Sequence, residues 1–148
     1  DFSTVTLLGV PGQDVSGSAV VEDDGATLHL SGNTWKRVAY TYELTAETVL
    51  AFDYRRGQLG ELQGIALDNG EAAPLSNQPG PNYFIVDGTQ AWGERRYRYG
   101  GGTDWERLEI PVGQHLSGRY TYLVFLMDDD ARQAADGRFR NVRLYEPN

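Results

Sequence analysis

The sequence holds no cysteine, one lysine, one methionine and two histidines. The missing cysteine excludes a disulfide framework, a thiol nucleophile and a thiolate metal site. With only His29 and His115 available, no H-E-x-x-H zinc motif can form, and no G-x-S-x-G nucleophile turn occurs. No apolar run reaches the roughly 20 residues of a membrane-spanning helix. No leader-like segment is present either, so a soluble chain is expected. The chain starts abruptly at Asp1 and ends just after a strand-like segment, as expected of a domain taken from a longer protein. Helical periodicity is scarce too. Its one candidate, Asp128–Asp136, is short and polar and reads as a loop or a single turn. A net charge of −8 withholds the basic field that nucleic acids or anionic membranes require, so neither is expected as a partner.

What is present points to strands. Hydrophobic residues make up 40% and aromatics 11%, too many for a disordered chain. Glycine, at 18 residues, supplies turns. Ser18–Glu22 and Thr27–Ser31 flank D-D-G-A and predict a hairpin. Trp35–Leu44 alternates in part. Val49–Tyr54 places Leu50, Phe52 and Tyr54 on one face. Leu62–Asp68 predicts a strand with a bulge or close backbone approach at Gly64. Residues 69–82, with three prolines and two glycines, predict a long loop. Tyr83–Val86, Trp105–Ile110, Tyr120–Met127 and Phe139–Tyr145 complete the set. In Trp105–Ile110, Leu108 and Ile110 point inward, while Trp105, Arg107 and Glu109 point the other way. In Tyr120–Met127, one face carries Thr121, Leu123, Phe125 and Met127. About nine or ten short strands predict an all-β, antiparallel two-sheet β-sandwich of jelly-roll type, in one domain over 1–148.

The most unusual stretch runs from Ile85 to Trp105. It gathers Trp92, Trp105, Tyr97, Tyr99, Arg95, Arg96, Arg98 and a glycine triplet. Core aromatics usually sit among Val, Ile and Leu. These sit among Arg and Gly, where ring faces can stay wet, and so predict an aromatic platform with polar neighbours. Strand alternation divides it. Arg96 and Arg98 share one face, and Arg95, Tyr97 and Tyr99 the other. Both faces can meet one ligand only if the segment is a loop.

Several motifs in order resemble those of β-sandwich carbohydrate-binding modules appended to secreted bacterial polysaccharide-degrading enzymes. They are G-N-T-W-K (32–36), G-E-L-Q-G-I-A-L-D-N (60–69), G-T-Q-A-W-G (88–93), D-W-E-R-L-E-I-P-V-G (104–113) and F-R-N-V-R-L-Y-E (139–146). The resemblance implies a non-catalytic, extracellular, monomeric domain. Such a domain holds a polysaccharide near an attached catalytic domain, often with a structural calcium ion, and binds on a concave sheet face or in the loops at one end. A pyranose offers an apolar C–H face to a ring and hydroxyls to polar neighbours. The expected sugar-binding set is therefore Trp35, Trp92, Tyr97, Tyr99 and Trp105 for stacking, with Glu61, Gln63, Arg96 and Arg98 for hydrogen bonds. The arginine cluster leans the expectation toward an acidic sugar, and the overall charge toward a neutral one. For calcium, the Asp128–Asp130 run at a strand end leads, with Asp68 joining Asp128 and Asp130 from a neighbouring loop. Glu22, Asp23 and Asp24 form a rival cluster. The other readings are an adhesion or spacer domain without a sugar site, and a small polysaccharide lyase or hydrolase.

Overall fold

The computed structural model describes residues 1–70 and 80–147. The expected 69–82 loop therefore lies for the most part in residues 71–79, outside the described residues. Nine strands follow in order: β1 (Leu8–Gly9), β2 (Ser16–Glu22), β3 (Thr27–Leu44), β4 (Val49–Gln58), β5 (Leu62–Asp68), β6 (Tyr83–Asp87), β7 (Glu106–Ile110), β8 (Gly118–Asp128) and β9 (Asp136–Tyr145). Single 3-10 turns at Phe2–Thr4, Asp23–Gly25 and Val112–Gln114 are the only helical pieces among the described residues.

All the strand ladders are antiparallel and fall into two sheets. Sheet I runs β6-β5-β8-β3-β1, and sheet II runs β2-β3-β9-β4-β7. β3 serves both. Its first part pairs with β2 and β9, and its second with β8 and β1. The sequence predicts two strands here, broken near Gly32. The structure joins them because Gly32 takes a left-handed φ of +78°, and a Cβ there would lie 2.7 Å from the Ser16 carbonyl oxygen. The chain turns from one sheet to the other without leaving the ladder.

The expected hairpin forms across Asp23–Gly25, with Glu22 opposite Thr27. Gly64 does mark a register shift, and a Cβ there would meet the Phe84 carbonyl at 2.1 Å. Between the sheets lies the main core. Leu28, Leu30, Phe52, Tyr54 and Phe139 come from sheet II, and Ile65, Leu67, Phe84, Phe125 and Met127 from sheet I. The alternation read from β4, β7 and β8 matches this core, and each large apolar side chain buried there contributes about 1.5–3 kcal/mol.

A second apolar cluster covers the outer face of sheet I. Trp35, Leu62, Ala66, Tyr83, Ile85, Val124 and Leu126 form it, with Val10 buried among them and Trp92 packed against it. Sheet II has no counterpart among the described residues. Its outward positions carry His29, Asp53, Arg55, Arg107, Glu109, Arg138 and Arg140.

Candidate functional site

A pocket opens at the end of sheet I where β5 begins and β8 ends. Leu62 pairs with Asp128 there, and the Glu61 N–H donates to the Asp128 carbonyl. The turn after β6 is fastened to the same corner, with Thr89 N–H on Gly60 O and Gln90 N–H on Glu61 O. That turn carries Trp92 over the outer apolar cluster, edge-on to Trp35 (centroids 6.4 Å, 75°) and to Tyr83 (5.2 Å, 72°). Gln13, Trp35, Leu62, Gln90, Trp92, Asp128 and Asp130 line a cavity of about 160 Å³.

The pocket is acidic. Glu61, Asp128 and Asp130 each bring one carboxylate oxygen to within 4.8 Å of the others. Burial, with Asp130 next in importance, pushes the Asp128 carboxyl up to about 6, against the Trp35 Nε1–H that donates to Asp128 Oδ2 at 3.0 Å. Asn33 donates to Asp130 Oδ1, and the Asp130 N–H donates to Glu61 Oε2. Trp92 Nε1–H is buried with no partner among the described residues. Rings, amides and carboxylates thus converge on one cavity. That chemistry suits a neutral, hydroxyl-rich ligand, which can donate to the carboxylates and lay its apolar faces against the rings.

Several expected contacts have other employment. Trp35 is 2% exposed and floors the pocket from within the outer cluster, so its faces are not open for stacking. Gln63 points into the core, where it donates to Tyr54 Oη and accepts from the Gly60 N–H. Tyr54 in turn donates to Asp87, which Arg56 grips with two bonds of 2.8 and 2.6 Å. Tyr99 is buried edge-on to Tyr54 and donates to the Asp104 carbonyl. Arg98 is turned inward onto the carbonyls of Gly88 and Ile85, and burial lowers its affinity for the proton. Tyr99 and Arg98 secure the loop after β6, Gln63 braces β5 against β4, and none of the three offers an edge to a sugar. The expectation placed Tyr99 and Arg98 outside because they sit among Arg and Gly, and it left strand or loop open. The segment is a loop tied back to β6, with Tyr99 N–H on Val86 O.

Arg96 is exposed at 68% but forks Glu94, whose carboxyl that contact holds down at about 2. The Tyr97 hydroxyl meets His115 Nε2 at 2.8 Å. Neither reaches the pocket lining. Trp105 lies on the opposite surface, outside sheet II, under the Arg140 guanidinium at 3.9 Å. Of the nine expected sugar contacts, the pocket brings together Trp92, Trp35 and Glu61. Gln13 and Gln90 were missed. Gln90 lies within the aromatic stretch singled out by sequence, in G-T-Q-A-W-G. Gln13 carries no signal, because it arrives from an irregular segment distant in sequence.

The expected metal set needs one correction. Asp128 and Asp130 share a corner with Glu61, but Asp68 lies at the other end of β5, opposite Tyr122. Six residues of strand, about 20 Å, separate it from that corner. Its carboxylate is buried against Arg37 at 2.8 Å. In the rival cluster, Glu22 is engaged with His29 and Arg138, and Asp23 with Thr27.

No protein-family model matches this chain, and no curated protein sequence matches it. Solved structures do. TmCBM61 in complex with β-1,4-galactotriose aligns over 99% of this chain and 91% of its own, at 13% identity and a TM-score of 0.50. A family 30 carbohydrate-binding module aligns over 95% of this chain and 87% of its own, at 14% identity and a TM-score of 0.43. The likeness to TmCBM61 shows that the chain shares its all-β sandwich fold. At such identities the likeness concerns the fold.

Proposed function

We propose that this chain is a non-catalytic carbohydrate-binding module that takes a neutral sugar in the pocket at the end of sheet I. One observation carries the reading: a half-buried tryptophan, two glutamines and three carboxylates converge on one small cavity built on a rigid apolar face. A structure of the same fold was determined with a β-1,4-galactotriose, which supports a sugar as the ligand class. A polysaccharide ligand would set the domain outside the cell, beside an attached catalytic domain. The pocket is complete within one chain, which suits a monomer. A single module of this kind binds weakly and gains from multivalency.

Gels containing a β-1,4-galactan test the reading. The parent domain is expected to be retarded. Gln90→Ala and Glu61→Gln should lose most of that retardation with unchanged melting temperature. Trp92→Ala should lose it too, at a cost of about 2–4 kcal/mol in stability because the ring packs on Trp35 and Tyr83. Unchanged retardation in Gln90→Ala and Glu61→Gln would remove the pocket from the site, and a panel of neutral glycans without one hit would favour a spacer domain.

The same corner suits calcium. Among the described residues, each of the three carboxylates has one oxygen engaged by a hydrogen bond and one to spare. Three oxygens are fewer than the six to eight that calcium takes, so water or sugar hydroxyls would supply the rest. One observation favours a hydrolytic reading instead: Asp128 keeps its proton to about pH 6, as a general acid must. The cavity is too small to seat sugars on both sides of a scissile bond, and the isolated domain is expected to release no reducing ends from galactan.

A further inference from the structure

The outer face of sheet II plays no part in the pocket, yet it gathers Arg55, Arg107, Arg138, Arg140 and Arg143 on an acidic chain. Asp53 of β4 stands opposite Arg107 of β7 on one side and Arg140 of β9 on the other. Beyond Arg140, β9 bulges. Three steps along it, from Arg140 to Arg143, match two along β4, from Asp53 to Ala51. Asn141 takes a left-handed φ of 52° to make the bulge, and donates its side-chain amide to Asp53 at 2.7 Å. In a regular strand, residues three apart point to opposite faces. The bulge cancels that, and Arg140 and Arg143 emerge on the same outer face.

Both guanidinium groups lie over aromatic rings. Arg140 lies over Trp105 at 3.9 Å, and Arg143 over Tyr145 at 4.2 Å. Stacking fixes the plane of an arginine and leaves its N–H edge free to bond. Little of that edge is spent. Among the described residues, Arg140 offers only Nε to Asp53, at 3.4 Å, and Arg107 only Nη1, to Asp53 and the Asn141 carbonyl. Arg143 makes no hydrogen bond among the described residues and is exposed. Arg107, Asn141, Val142 and Arg143 line an open groove of about 390 Å³.

We propose that this groove is a second binding surface, which takes the carboxylates of an acidic polysaccharide, a polyuronate. Preorganised arginine forks match a planar carboxylate in two-point contact, which a point charge does not. Asp53 and Glu109 alternate with the arginines and would accept sugar hydroxyls. That alternation fits a chain carrying one charge per ring between neutral groups. It fits poorly with a nucleic acid, whose dense phosphates would meet those carboxylates and a net charge of −8.

Native gels containing polygalacturonate test the proposal. The parent domain is expected to be retarded at low salt and released as salt rises. Arg140→Gln with Arg143→Gln should weaken retention by about fivefold or more, and Arg143→Lys should behave more like Arg143→Gln than like the parent. Glu61→Gln, in the pocket on sheet I, should leave polygalacturonate retention intact, which separates failure of this groove from failure of the pocket. No retardation of the parent, equal retention of the double variant, or tighter binding to dextran sulfate or to a DNA oligonucleotide would each overturn the proposal.

Discussion

The two outer faces of the sandwich obey the same alternation and have opposite chemistry. Outside sheet I, most residues that point away from the core are again apolar, and they build a second small core under Val10 and Trp92, with the buried Arg37–Asp68 pair beside it. Outside sheet II, they are charged, and ion pairs such as Arg138–Glu22 and Arg107–Asp53 lie across the surface. The tryptophans of the first face are held by other rings, and Trp105 and Tyr145 on the second lie under guanidinium groups. The difference teaches where rigidity is placed. The pocket rests on a face packed on both sides, so its carboxylates can be kept close together and partly desolvated. The arginine face stays wet, and its forks are oriented by stacking on rings and by hydrogen bonds to Asp53 and Glu22.

The largest expected effect separates the two faces by stability. Trp35→Ala removes a buried ring from the outer cluster and leaves the Asp128 carboxyl without its indole donor. The expected cost is about 3–5 kcal/mol, or a melting temperature lower by about 10 °C for a domain of this size. Trp105→Ala removes a half-exposed ring whose main partner is Arg140 and should cost about 1 kcal/mol or less. Equal losses in thermal melts of the two variants would mean that the apolar outer face is not a second core.

Much of this contrast was legible in the sequence. Leu50, Phe52 and Tyr54 announce a strand with one buried face, and Leu108 and Ile110 announce the inward side of β7. Outward Arg107 and Glu109 likewise follow from period-two alternation. Other features were not legible, for physical reasons. The outward face of β5 reads as Leu62, Gly64 and Ala66, and nothing local says that a loop twenty-five residues on will cover it. Gln63 reads as a surface amide, but the buried Tyr54 hydroxyl needs a partner, and that need appears only once β4 and β5 are placed. The Asn141 bulge hides for a similar reason. Asn tolerates a left-handed φ at low cost, yet in F-R-N-V-R-L-Y it looks like any outward polar residue.

The smaller effect is one of sign. Carboxyls on the two faces are shifted in opposite directions. Outside sheet II, burial works to raise Asp53, but hydrogen bonds from Asn141, Arg107 and Arg140 overcome it and hold the group below the usual aspartate range. Glu22 is held down chiefly by its hydrogen bond from Arg138. Their stabilisation is present above the unfolded carboxyl range of about 4 and is lost as pH falls below that range, through their lower folded values. Asp128 is raised to about 6, so its protonated form is favoured in the fold. Its contribution is greatest below about pH 4 and is lost as pH rises through about 6. The melting temperature should therefore climb on acidification from about pH 7 to 5, then fall below about pH 4. Asp128→Asn, which keeps an acceptor for the Trp35 indole, should flatten the upper slope and spare the lower one. Asp53→Asn should do the reverse. Calcium should raise the melting point at neutral pH and weaken the upper slope, because an ion between Glu61, Asp128 and Asp130 would favour the charged carboxylate. A profile that Asp128→Asn leaves unchanged would show that this carboxyl titrates like an ordinary surface acid, and an identical midpoint with calcium and with chelator would remove the ion from the pocket.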